Sequence, residues 1–249
     1  MSTTSNTYLL LGATSGIGME LARRLAAGGA RLFLVARDPD KLAAFAQTLP
    51  GEVATAVADA TESPQVDAAV NAAVEQFGKI DGAVNLVGSI LLKPAHLTSD
   101  QEWRQTLALN LDSAFYLLRA AAKTMMTSGG GSVVLVSSVA AKLGLTNHEA
   151  IAAAKAGVSG LVLAAAASYA ARGIRVNAVA PGLVRTPLTA RLTQNEATLK
   201  ASVAMHPLGR IGEPADIASA IEWLLNPAQG WVTGQVLSVD GGMGAVRPR

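Results

Sequence analysis

The sequence predicts a doubly wound α/β domain, and three features carry that prediction. Apolar runs of strand length alternate with helical stretches along all 249 residues. Runs that are apolar throughout, rather than at every second residue, suit parallel strands covered by helices on both faces. The first run, residues 8–11, leads into the turn Gly12-Ala13-Thr14-Ser15-Gly16-Ile17-Gly18, and a helical stretch with Met19, Leu21, Ala22 and Leu25 follows. Finally, no linker, low-complexity tract or repeat of about 20–50 residues divides the chain, so residues 1–249 read as one domain.

A glycine-rich turn between a strand and a helix lets the backbone approach a pyrophosphate. It also aims the helix N-terminus, with its unpaired N–H groups and partial positive charge, at that anion. Thr14 and Ser15 add hydroxyls beside those amides. A tight turn without ligand looks the same in isolation. Its place at the head of an alternating chain favours a nucleotide site.

The remaining elements follow in order. Residues 32–36 form the second strand, residues 41–48 a helix and residues 53–58 the third strand. A helix over 64–77 precedes a strand over 83–87. A long helix is expected over 100–126, then a buried strand at 133–137 and an Ala-rich helix over 149–172. The strand at 174–179 is ended by Pro181-Gly182. An amphipathic helical stretch covers 188–203, and a helix at 214–225 and a strand at 236–239 close the chain.

The second strand ends in Ala36-Arg37-Asp38. An acidic residue at that tip grips a ribose 2′-hydroxyl, whereas an arginine pairs with a 2′-phosphate. Ala36 followed by Arg37 therefore favours NADP(H) over NAD(H), the rival reading of Arg37 being a solvated charge. Asp38, with Pro39 behind it, equally suits a helix N-cap. Asp59, beyond the third strand and followed by Ala60, is placed either to bond an adenine amino group or to cap the next turn.

Bulk properties narrow the function. A formal charge of +2 with dispersed Lys and Arg offers no basic face to a nucleic acid. The absence of cysteine excludes disulfides, thiolate metal sites and cysteine nucleophiles, and no metal is expected. No apolar run reaches the roughly 18 residues that cross a bilayer, and the polar, uncharged residues 1–7 do not read as a signal peptide. The expectation is a cytoplasmic protein with no membrane partner, acting on a small molecule.

Several motifs succeed one another along the chain: Gly12-x-x-x-Gly16-x-Gly18, Asp59, Asn85-x-x-Gly88, Asn110, Ser138, Lys155, Pro181-Gly182-x-x-x-Thr186 and Asp240-Gly241-Gly242. Gly209-Arg210-Ile211-Gly212-Glu213-Pro214 and Thr233-Gly234-Gln235 complete the set. Together they resemble the short-chain dehydrogenase/reductase family over residues 8–243. In spacing and length they are most similar to its 3-oxoacyl-carrier-protein reductase and related alcohol dehydrogenase branches. The resemblance implies a Rossmann fold with seven parallel strands in the order 3-2-1-4-5-6-7, a nicotinamide cofactor and a homo-oligomer, a tetramer or a dimer. With Arg37, it places the cofactor on Gly12, Thr14, Ser15, Gly16, Ile17, Gly18, Asp59, Ala60, Asn85, Gly88, Lys155, Pro181, Gly182, Val184 and Thr186. Val184 would contribute backbone groups and Thr186 its hydroxyl. Thr186 before Pro187 also reads as a helix N-cap, and both can hold. Leu86 stands where the family commonly has a second asparagine, so any side-chain bond there is lost.

In the family, carbonyl chemistry is assisted by Asn, Ser, Tyr and Lys, which here implies Asn110, Ser138 and Lys155. The tyrosine exchanges a proton with the substrate oxygen, and the lysine holds the nicotinamide ribose and lowers the tyrosine pKa. The serine bonds the carbonyl oxygen, and the asparagine positions a water that extends the relay. The tyrosine belongs four residues before the lysine, on the same helix face. That residue is Ile151, which carries no proton. Tyr8, Tyr116 and Tyr169 do not stand four residues before a lysine, and Lys142 lacks such a tyrosine too.

Three readings compete. In the first, His148, Glu149 or a desolvated Lys155 delivers the proton; an imidazole with an ordinary pKa near 6.5 suits that task, although His148 also suits a solvent-facing cap and Glu149 dipole compensation. In the second, the substrate needs no strong acid, as with an activated C=N or C=C bond. In the third, the protein binds NADP(H) without turnover, as a sensor or partner subunit. Leu188, Leu192, Leu199 and Val203 recur at helical spacing, as an apolar lid over residues 186–210 or as core; a lid favours an apolar or medium-length substrate. Trp103 and Met125 or Met126 mark the long helix as a packing or dimer face.

Overall fold

The structure, a computed structural model, describes residues 5–247. Its first half runs β1 (Thr7–Leu11), α1 (Gly16–Ala27), β2 (Arg31–Ala36), α2 (Pro39–Ala46), β3 (Val53–Val57), α3 (Ser63–Phe77) and β4 (Gly82–Asn85). The second half runs α4 (Asp100–Leu107), α5 (Ser113–Ser128), β5 (Gly131–Val136), α6 (Glu149–Tyr169), β6 (Ile174–Pro181), α7 (Ala190–Thr193), α8 (Glu196–Met205), α9 (Pro214–Leu225) and β7 (Val236–Val239). All strand pairs are parallel, in the order β3-β2-β1-β4-β5-β6-β7. This is the Rossmann-like order expected from the sequence. The chain reverses direction across the sheet between β1 and β4. Open α/β sheets take ligands at that point, beyond the carboxyl ends of the strands.

Alternation along the buried strands feeds two cores. Leu9, Leu11, Phe33, Val133 and Leu135 face α3, α5 and α6, meeting Val70, Leu117 and Val162. Leu10, Leu34, Val134 and Val179 face the other way, onto Leu21, Leu25, Ile217 and Leu224 of α1 and α9. Successive strand residues point to opposite faces, so a strand lined with helices on both sides has no polar side to show.

Helix starts are set by local chemistry. Asp38 Oδ1 accepts the Lys41 N–H at 3.0 Å, with Pro39 in the first turn, so Asp38 serves as the N-cap of α2. Ser99 and Glu102 form a reciprocal capping box at the head of α4.

Three expectations need correction. The single helix over 100–126 is interrupted by a π-helical turn, Ala108–Asp112, and continues to Ser128. An extra residue in a turn is a recurrent device at functional sites, and Asn110 sits within this one. The stretch 188–203 is broken too: it opens with the turn Pro187–Thr189, the helix Ala190–Thr193 ends at Gln194, and Asn195 caps the next by accepting the Thr198 N–H at 2.9 Å. Leu188 therefore points outward, 56% exposed, while Leu192, Leu199 and Val203 are half-buried. Lastly, the helix Glu149–Arg172 is long and apolar enough by length and composition to cross a membrane, with mean hydropathy 1.7. Its Val158, Val162, Ala165 and Ala166 pack into the core beneath β5 and β6, which explains the apolar composition without a bilayer. Met125 is likewise core, whereas Met126 and Trp103 are exposed.

Candidate active site

At the carboxyl end of β1, Ser15 caps α1: its Oγ accepts the Gly18 N–H at 3.1 Å. The hydroxyl hydrogen stays free to donate. The Gly16 and Ile17 N–H groups have no partner among the described residues, so two amides and a hydroxyl are directed outward from the helix start. An anion of pyrophosphate size fits this donor set. Gly18 makes the turn possible, because a Cβ there would lie 2.6 Å from the Gly12 carbonyl oxygen and 2.8 Å from that of Ala13. Gly18→Ala is expected to destabilise the protein by about 1–3 kcal/mol through overpacking. Thermal unfolding should then begin several degrees lower, at about 2–4 °C per kcal/mol for a chain of this size; an unchanged midpoint would refute the steric account.

Arg37 is exposed at the β2 tip and forms no ion pair or side-chain hydrogen bond among the described residues. It remains available to an anion. Asp59 Oδ1 accepts both the N–H (2.9 Å) and the hydroxyl (2.7 Å) of Thr61. These bonds, the backbone one foremost, hold its carboxyl below the usual range, with Arg37 adding a smaller pull. Asp59 thus caps the turn, and Oδ2 is left for another donor. Ala60 beside it is buried. Asn85 turns inward: its Nδ2 donates to Ser113 Oγ at 3.0 Å and its Oδ1 accepts the Val87 N–H at 3.0 Å. The Asn85 side chain therefore joins β4 to α5 instead of reaching outward.

Gly88 lies against both Asn110 and Lys155; a Cβ there would approach Asn110 Oδ1 to 3.0 Å and Lys155 Nζ to 3.6 Å. Asn110 is buried, its Nδ2 donating to Ser89 Oγ and to the Thr106 carbonyl, both at 2.9 Å, and its Oδ1 accepting the Ser89 N–H at 3.1 Å. Only Oδ1 keeps a spare lone pair. Lys155 Nζ donates to the Val136 carbonyl at 2.8 Å. Burial brings its pKa down to about 8, because an apolar environment penalises the charged form.

Ile151, one turn earlier on α6, faces a cavity of about 540 Å³. Ser138, at the end of β5, lines the same space, as do His148, Leu145, Leu183, Leu192 and Met205. Among the described residues the lining includes no tyrosine and no Asp, Glu, Lys or Arg. Ser138 Oγ accepts the Ala140 N–H at 3.1 Å and keeps its proton to donate. His148 is both the N-cap residue of α6 and a wall of this cavity. Its Nδ1 lies 2.8 Å from the Thr146 carbonyl, so Nδ1 carries the hydrogen and Nε2 is the nitrogen left free. Asn147, in the left-handed region at φ 64°, makes the turn that presents it. Glu149 points elsewhere, accepting the Ala95 N–H at 3.4 Å.

Past β6, Pro181 pairs with Val239 and Gly182 opens the loop. Val184 is buried and bridges Gly212. Thr186 is the N-cap residue of the turn Pro187–Thr189, and its N–H donates to Thr189 Oγ1 at 3.0 Å. Its side chain lies over Gly16, where a Cβ would meet Thr186 Cβ at 3.1 Å. Sequence reasoning missed His206, which is buried at the cavity wall; the only signal was a lone histidine before the Pro207–Glu213 stretch. It also missed Ser89, the partner of Asn110.

The family model described as enoyl-(acyl carrier protein) reductase matches residues 12–244. A galactitol 2-dehydrogenase (L-tagatose-forming) of Cereibacter sphaeroides is 40% identical over 236 residues, spanning 93% of this chain and 92% of that protein. A short-chain type dehydrogenase/reductase from Mycobacterium ulcerans has the same fold, with TM-score 0.94 and 36% identity, covering 99% of this chain and 92% of that one. An actinorhodin polyketide ketoreductase variant solved with NADPH gives TM-score 0.93 at 32% identity, covering 99% of this chain and 100% of that one. The strand order and these likenesses agree: the chain belongs to the short-chain dehydrogenase/reductase family, oxidoreductases that bind a nicotinamide cofactor.

Proposed function

We propose that the protein is an NADP(H)-dependent oxidoreductase for an uncharged, small or medium-sized apolar carbonyl or alcohol, with His148 in place of a tyrosine as proton carrier. The observation that carries this reading is the shared cavity, where Ser138, His148 and Ile151 meet on a wall of mostly apolar side chains with a few hydroxyls and His206. The relative named for galactitol works on a polyol; the uncharged lining here, rich in Leu, Ile, Val and Met, favours an apolar substrate instead.

The nicotinamide, when bound, supplies or receives the hydride. The outward amides of Gly16 and Ile17 and the Ser15 hydroxyl would hold the pyrophosphate, Arg37 the 2′-phosphate, and Lys155 the nicotinamide ribose. Ser138 Oγ donates to the carbonyl oxygen and orients it. Nε2 of His148, free because Nδ1 is engaged by Thr146, carries the proton to or from that oxygen. Asn110, with one lone pair on Oδ1 uncommitted, holds a water between Lys155 and the helix interior. Reduction of a C=N or C=C bond needs less of the histidine and uses the same positioning.

The cofactor reading is tested by titration. NADPH is expected to bind at least about tenfold tighter than NADH, since a phosphate–arginine contact contributes on the order of 1.5–3 kcal/mol. Arg37→Ala should remove most of that gap by weakening NADPH alone. Equal affinities before mutation would overturn the assignment.

A second reading is supported by Ile151 itself: a sensor or partner subunit that binds NADP(H) without turnover. Absence of NADPH consumption across cyclic and open-chain ketones, imines and enones, with tight NADPH binding intact, would favour it. We further propose a cytoplasmic homo-oligomer, dimer or tetramer, which would cover the exposed Trp103, Phe115 and Met126 of α4 and α5; no nucleic-acid or membrane partner is part of this reading.

A further inference from the structure

His206 is 3% exposed and lies just past the end of α8. Its Nδ1 lies 2.6 Å from the Ser202 carbonyl and so donates to it, leaving Nε2 unprotonated. That Nε2 accepts the Leu183 N–H at 3.2 Å. One imidazole therefore joins the last turn of α8 to the second residue of the loop after β6. With both nitrogens engaged by main chain, it has no proton to offer the cavity. The loop is shaped around the ring: a Cβ on Gly182 would fall 2.5 Å from His206 Nε2. The ring also walls the cavity, together with Ser202 and Met205 of α8. Otherwise α8 is weakly anchored, for none of its residues is fully buried.

We infer that His206 is a positioning residue that fixes the lid to the loop at Gly182–Val184, so that one side chain sets both the substrate wall and the backbone meeting the nicotinamide. This inference rests on the proposed function only where it assigns that loop to the nicotinamide. The link between α8 and Leu183 stands without it. A lid held this way closes with the cofactor loop in place, and a misplaced loop leaves the lid loose. Coupling of this kind needs an element with few other contacts, which α8 is.

The test uses the full chain with hydrogen–deuterium exchange and two ligands: NADPH, and adenosine 2′,5′-bisphosphate, which lacks the nicotinamide half. His206→Phe keeps the ring and loses both bonds. Exchange at Leu183 and over residues 196–205 should rise about tenfold or more, the equivalent of one hydrogen bond. NADPH affinity should fall about tenfold while the bisphosphate binds unchanged, a split that general loosening of the fold would not produce. His206→Gln offers an amide oxygen to Leu183 and should recover most of both effects. If His206→Phe does not fold, Gly182→Ala tests the same link by forcing the native ring aside. Exchange within twofold of the parent, or equal weakening of both ligands, would overturn the inference. If the parent protein binds neither ligand, the cofactor reading fails, while the exchange comparison still decides the link.

Discussion

Placed in a His148→Ala background, Ile151→Tyr is expected to raise reduction of a compact ketone by about 10²–10⁴-fold in kcat, the range that a positioned acid contributes. The cavity has room, since Ile151 already borders about 540 Å³ of space shared with Ser138. A phenol there would stand one helical turn from Lys155, where a buried ammonium favours the phenolate and lowers its pKa. The gain should appear chiefly in kcat, because the proton matters most in the transition state. The same variant tests the role of His148. In the parent, His148→Ala should abolish most of the activity; with Ile151→Tyr in place it should matter little, the phenol having taken over. Unchanged activity of the double variant relative to His148→Ala at every pH, with NADPH still binding, would remove the tyrosine argument, and a parent unaffected by His148→Ala would remove the place given to His148.

The second large effect concerns stability. Lys155 titrates near 8 in the folded protein because burial penalises its ammonium; in the unfolded chain it returns to about 10.4. Between these values the unfolded state binds more protons, so stability rises with pH across that window and levels off above it. Below pH 8 the full penalty is present, on the order of 3 kcal/mol at about 1.4 kcal/mol per pKa unit. Lys155→Met removes the charged group and should make the protein up to about 2–3 kcal/mol more stable at neutral pH. It should also flatten the rise between pH 8 and 10.5 relative to the parent in urea titrations, and weaken NADPH binding. A variant less stable than the parent at pH 7, or one with the same pH slope, would show that Lys155 is not carrying that strain. On this account the fold tolerates an unfavourable lysine because the site needs one.

How far the sequence could be read depended on the range of the interactions involved. The alternation of strands and helices and the glycine turn were legible because apolar runs and a tight turn leave marks within a few neighbouring residues; the strand order came only from the family resemblance. Asp38 as a cap was legible for the same reason. The break at Ala108–Asp112 was not: Asn110 gains its partners from Ser89, far along the chain, and helical periodicity does not report one extra residue in a turn. The stretch 188–203 was misread as one helix because spacing alone reports neither the turn Pro187–Thr189, which holds Leu188, nor Asn195, whose side chain starts a new helix. Asn85 matched a motif, yet its amide is held by Ser113, a contact visible only in three dimensions. His206 left almost no mark, since both of its partners are main-chain groups that any sequence supplies.

The sheet order bears on how the chain is made. β1, made before the other six strands, ends up inside the sheet, with Tyr8 against Leu32 on one side and Gly82 on the other. Its first edge finds a neighbour soon after emergence from the ribosome; its second must wait for β4. Pairings so distant along the chain form slowly. During that interval the nascent polypeptide carries an open edge of unpaired N–H and C=O groups on a largely apolar strand, the point at which aggregation or chaperone capture would begin.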